Sequence, residues 1–72
     1  MKIDQMSQIL SEFIRDRDFF YRKDFTDTYK LNESTSSIAN LVTRVLARFV
    51  KEGKLLVSDR KSNSLQYMVI EI

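Results

Sequence analysis

The chain contains no cysteine, no histidine and no proline, and a single glycine, Gly53, in 72 residues. Without cysteine there is no disulfide framework and no thiolate metal site. Without histidine as well, the usual zinc ligand sets, the Ser-His-Asp triad and the cysteine nucleophile are excluded. One glycine cannot build a phosphate-cradling loop, so P-loop and dinucleotide fingerprints are excluded too. No apolar run approaches the ~18 residues of a transmembrane helix. The start, Met1-Lys2-Ile3-Asp4, has the polar recurrence that a signal peptide lacks. These absences leave a binding module rather than an enzyme, with no cofactor, no metal and no membrane partner expected. The absence of cysteine and of an export signal points to the cytoplasm.

What is present suits one small folded domain spanning 1–72. Apolar residues make up 43% and charged residues 31%, enough for a core and too apolar for disorder. The net charge of +2 says little, but its distribution says more. Residues 1–34 carry six basic and seven acidic side chains. Residues 35–64 carry Arg44, Arg48, Lys51, Lys54, Arg60 and Lys61 against Glu52 and Asp59, a local +4. Such an asymmetry is the footprint expected of a polyanion-binding surface.

Met6, Ile9, Leu10, Phe13 and Ile14 recur at helical spacing and predict helix 1 over about 4–16, with Asp4 as N-cap or first-turn acid. Phe19-Phe20-Tyr21 reads as a short extended piece, because aromatics favour strands. Arg22 to Tyr29 reads as helix 2, with Phe25, Thr28 and Tyr29 on one side and no good N-cap at its start. Asn32 and Ser34 are both credible N-caps for the next helix. Ile38, Leu41, Val42, Val45, Leu46, Phe49 and Val50 then make the longest stripe, and Gly53 ends it. Helix 3 is expected over about 34–52. Leu55–Val57 and Leu65–Ile72 read as two strands of an antiparallel hairpin over about 54–72, joined by a polar turn.

This order, with Phe20-Tyr21-Arg22-Lys23-Asp24-Phe25 opening helix 2, Leu31-Asn32-Glu33-Ser34-Thr35 across the turn and Ala47-Arg48-Phe49-Val50-Lys51-Glu52-Gly53-Lys54-Leu55-Leu56 leaving helix 3, resembles the winged helix-turn-helix family. The resemblance covers nearly the whole chain and is closest to small bacterial and phage regulators. The span from Ser34 to Gly53 is a few residues longer than in many members. Either helix 3 is long or its first residues belong to an extended turn. The resemblance implies an α+β fold, three helices and a C-terminal wing hairpin, with helix 3 as the recognition helix of a double-stranded DNA binder. It also implies a transcriptional regulator, and the short chain is expected to act by occupancy or through a regulatory protein partner.

At ~100° per residue, the side of helix 3 opposite its apolar stripe holds Ser36, Asn40, Thr43, Arg44, Ala47 and Lys51, with Ser37 at the edge. Asn can bond adenine bidentately, Arg can bond guanine, and Ser or Thr can bond bases or phosphates. The same residues would suit a plain solvated face, and the surrounding architecture tips the reading to DNA. Arg60 and Lys61 at the hairpin tip, and Arg22 and Lys23 at the start of helix 2, are the expected phosphate contacts. Arg48 and Lys54 either join them or merely flank the hairpin. The aromatics Phe13, Phe19, Phe20, Phe25, Tyr29 and Phe49 are expected in the core, and Tyr21 is the one candidate for stacking on a single strand.

The last strand is apolar on both faces, and one face lacks an evident cover. Met68, Ile70 and Ile72, joined by Ile3 and Met6 of helix 1, are the expected homodimer surface. Two rivals to DNA binding stay open: a winged-helix module that binds protein, and an anti-regulator that binds an enzyme or mimics a DNA binder's partner.

Overall fold

The computed structural model describes residues 1–59 and 66–70. The order is α1 (Ile3–Ile14), β1 (Phe19–Tyr21), α2 (Arg22–Thr28), α3 (Ser36–Lys51), β2 (Leu55–Asp59) and β3 (Gln66–Val69). Three helices and a C-terminal β2–β3 hairpin give the α+β winged-helix arrangement. The hairpin tip with Arg60 and Lys61, together with Leu65, Glu71 and Ile72, lies outside the described residues. Among the described residues no helix is long and apolar enough to cross a membrane.

Each helix is shorter than its periodicity suggests, for a local reason. Helix α1 stops at Ile14, not 16, because Arg15 to Asp18 are all exposed and offer nothing to bury. Its end tightens into three-residue bonds, Arg15 N–H to the Glu12 carbonyl and Arg17 N–H to that of Ile14. Asp4 lies in the first turn, and Lys2 takes the N-cap position, its amide donating to Gln5 Oε1. Helix α2 has the N-cap that its sequence hides. Tyr21 occupies the position, and its amide donates to the Asp24 carboxylate at 3.0 Å. Helix α3 starts at Ser36 rather than 34, because Asn32 Oδ1 accepts the Ser34 amide and holds residues 32–35 in a turn. Thr35, not Asn32 or Ser34, is the N-cap residue, and no side chain caps the helix. So the long span before Gly53 divides into an extended turn and a 16-residue helix.

Helices α2 and α3 leave by the same device. The Leu31 amide reaches back to the Thr26 carbonyl and the Lys30 amide to that of Asp27. Likewise the Lys54 amide reaches the Phe49 carbonyl and the Gly53 amide that of Val50. Both are Schellman closures, which need a left-handed residue. Gly53 adopts φ 79° and Lys30 φ 54°.

The sheet order is β1-β3-β2, with both pairs antiparallel. Phe19 faces Met68, Phe20 faces Tyr67 and Tyr21 faces Gln66; on the other side Leu55 faces Val69 and Leu56 faces Met68. Strand residues alternate between faces. Phe20, Leu55 and Tyr67 therefore turn inward and are buried with Met6, Leu10, Phe13, Phe25, Val42, Val45, Leu46 and Phe49. Phe19 turns outward and is exposed, which corrects its expected place in the core. Met6 is fully buried, so it belongs to the core and to no exposed surface.

The two left-handed positions respond oppositely to substitution. A Cβ on Gly53 would meet no atom within 4 Å, so Gly53→Ala carries only the backbone cost. It should lower stability by about 1 kcal/mol, a fall of roughly 4–8 °C in Tm. Lys30→Gly relieves about 1–2 kcal/mol of left-handed strain and returns part of it as unfolded-state freedom. Thermal unfolding should show a net gain of about 0.5 kcal/mol. Shifts of the same sign would contradict the assignment.

Candidate functional site

Helix α3 has two unlike sides. Val42, Val45, Leu46 and Phe49 are buried, and Ile38, Leu41 and Val50 are half-buried beside them. Ser36, Ser37, Asn40, Thr43, Arg44, Ala47 and Lys51 are all exposed. Among the described residues Ser36, Ser37, Asn40, Arg44 and Lys51 make no side-chain hydrogen bond or ion pair within the domain. Burial of the opposite stripe fixes which side faces out.

Arg22, one of the predicted phosphate contacts, has a structural task inside the domain. Its guanidinium sits where α2 begins, and it is engaged on three sides. Nε donates to Glu33 Oε1 at 2.6 Å, Nη1 to Thr43 Oγ1 at 3.0 Å and Nη2 to the Ala39 carbonyl at 3.1 Å. One side chain thus ties the start of α2 to the turn and to two successive levels of α3. A planar fork of donors suits three acceptors in different directions. Thr43, placed on the outer face as predicted, is already an acceptor in this cluster. Lys23, next to Arg22, is exposed and keeps a free ammonium among the described residues.

Arg22, with Thr43, Ala47, Val50 and Lys51 of α3, also lines an open groove of about 440 Å³ together with Val57 and Tyr67 of the sheet. The small side chain of Ala47 leaves the helix backbone approachable there. Arg48 lies on another side of α3, bordering a shallow groove with Ser7 and Ser11 of α1 and with Lys54. Lys54 pairs with Glu52 at 3.3 Å and lies 5.0 Å from the Phe49 ring centroid. Lys54 thus sits at the start of the hairpin, and Arg48 borders α1. Among the described residues no group of three acidic side chains could hold a metal ion.

Sequence reasoning did not find Glu33, Val57 or Tyr67 as parts of this region. Periodicity reports which side of an element is apolar, and it carries no signal for an ion pair eleven residues apart. Compared with protein-family models, with curated proteins and with solved structures, the chain matches none.

Arg22→Lys and Arg22→Met should each lower the unfolding free energy by about 1–3 kcal/mol in urea titrations. Lysine should fail to restore it, because one ammonium cannot reach three separated acceptors. Glu33→Gln should cost less than about 1 kcal/mol, since the pair is half open to water. Wild-type stability in Arg22→Lys would show that charge alone suffices there.

Proposed function

We propose that the chain binds double-stranded DNA through the outer face of α3 and serves as a small transcriptional regulator. The observation that carries this reading is the polar outer face of α3, on which Asn40 and Arg44 are uncommitted, held outward by burial of Val42, Val45, Leu46 and Phe49 on the opposite side. Asn40 and Arg44 lie about one helical turn apart and have the donor pattern that reads base edges in a major groove. Ser36 and Ser37 sit in the first turn, where no side chain caps the helix amides. Free amides at a helix start favour a phosphate. Lys51 and Lys23 supply exposed positive charge. Arg22 acts here as the residue that positions α3 against α2, and Thr43 is held by it. Arg60 and Lys61, which follow β2 in the sequence, are the further phosphate contacts of the proposal. A regulator of this kind works in the cytoplasm, where bacterial and phage DNA is read.

Titration onto mixed-sequence duplex DNA at several salt concentrations tests the reading. Binding should weaken steeply as salt rises, because each neutralised phosphate releases counterions. Arg44→Ala and Asn40→Ala should each cost about 1–3 kcal/mol on preferred sequences and flatten the preference. Arg60→Ala with Lys61→Ala should weaken all sequences alike and reduce the salt slope. Absence of binding at low salt would reject DNA and favour a winged-helix module that docks on protein.

A further inference from the structure

The outer face of the sheet has a composition unlike the rest of the domain. The pairing register puts Phe19, Met68 and Leu56 in one row across all three strands. Tyr21 and Ile70 stand on the same face on either side of that row, since alternate strand residues share a face. All five are exposed, by between 38% and 56%. The polar residues of the face are Ser58 and Gln66, and Ser58 Oγ is bonded to Gln66. The register also sets Asp59 opposite Gln66, at the edge of this face, so its apolar part is the Phe19–Met68–Leu56 row with Tyr21 and Ile70 beside it.

We infer that this face is where two copies of the chain pair. The extent of the patch fits that occupant. At about 200 Å² for a whole side chain of this size, the five residues leave roughly 450 Å² of apolar surface open. A standard interface takes about 800 Å² per partner, of which roughly 56–58% is apolar. The patch thus matches the apolar part of one such interface. Charge selects the same occupant. A nucleic-acid strand would need cations beside Phe19 and Tyr21, and the described face has none. An interfacial membrane contact would likewise draw on cations around the apolar surface. A two-fold axis through Met68 lays Phe19 against the partner's Leu56 and Met68 against the partner's Met68, the self-complementary pattern of an isologous contact. The surface differs from the one expected from sequence. Phe19, Tyr21 and Leu56 enter it, Met68 and Ile70 stay, Met6 leaves, and Ile72 lies outside the described residues.

This pairing does not depend on DNA binding and is tested without DNA. Sedimentation equilibrium of the full chain, from micromolar to millimolar, should show its mass rising from 8.5 kDa toward twice that value. Leu56→Lys and Met68→Lys should each weaken association at least tenfold, with an unchanged circular-dichroism spectrum. Ala47→Lys, on α3, should leave association as in the wild type. A wild-type chain that stays monomeric to millimolar concentration overturns the inference. So does a dimer indifferent to both sheet substitutions. A chain that stays monomeric yet co-sediments with phosphatidylcholine vesicles also overturns it, and assigns the face to a lipid surface.

Discussion

The architecture depends on the ring of Phe13. It lies 5.3 Å from the Phe20 ring, 5.3 Å from that of Phe25 and 6.0 Å from that of Tyr29. Those three rings belong to β1, to α2 and to the residue that ends α2. Phe20 in turn stacks on Tyr67 of β3 at 5.4 Å. One side chain therefore fastens the end of α1 to the sheet and to α2. The Arg17 guanidinium lies 4.0 Å from the centroid of the same ring. A domain of this size draws only about 3–5 kcal/mol from its core. Removing a buried phenylalanine costs about as much. With α1 so fixed, Met6 and Leu10 join the buried stripe of α3 in a single cluster. The outward direction of Asn40 and Arg44 is a consequence of that packing.

Arg22 then completes what the apolar contacts leave loose. Hydrophobic burial is non-directional. It holds α3 down without setting its position along its own axis. Hydrogen bonds from one planar group to Glu33, the Ala39 carbonyl and Thr43 are directional, and they reach the turn and α3 together. A cation at the start of α2 thus serves the register between two helices. Paired with Glu33, the guanidinium adds little net positive potential, and among the described residues Lys51 is the unpaired cation lining the groove beside Thr43 and Ala47.

The elements legible in the sequence are those whose signal is periodic or chemically singular. The seven-residue stripe from Ile38 to Val50 identified the long helix and both of its faces, and Gly53 identified its end. The extended character of Phe19–Tyr21 was legible from its aromatics, but its partner strand was not. Three residues hold too little alternation to specify a register, so the outward turn of Phe19 depends on pairing with Met68, which is distant in sequence. Lys30 in a left-handed conformation was hidden for a different reason. Nothing in a lysine announces φ 54°; the closure of α2 onto Thr26 and Asp27 imposes it. The candidate site divides the same way. Its exposed side is a property of one helix and could be read locally. The Arg22–Glu33 contact belongs to the meeting of α2 with the turn before α3 and could not.

The pleat of a three-stranded sheet separates two surfaces that would otherwise compete. Successive residues of β2 and β3 point to opposite sides. Val57 and Tyr67 line the groove beside α3, while Leu56 and Met68, one position away in each strand, face the other way. Exposed apolar residues collect on the outer side, and among the described residues the free cations Arg44 and Lys51 lie on α3. A contact made through the outer row therefore leaves the groove and the polar face of α3 open. Two copies joined there would present two α3 faces related by a two-fold axis, and a two-fold protein selects a two-fold target. A single domain of 72 residues offers few side chains for reading a sequence, and doubling them by symmetry raises discrimination without lengthening the chain. The alternation of a short hairpin is thus sufficient to keep the proposed association and the proposed recognition on separate faces.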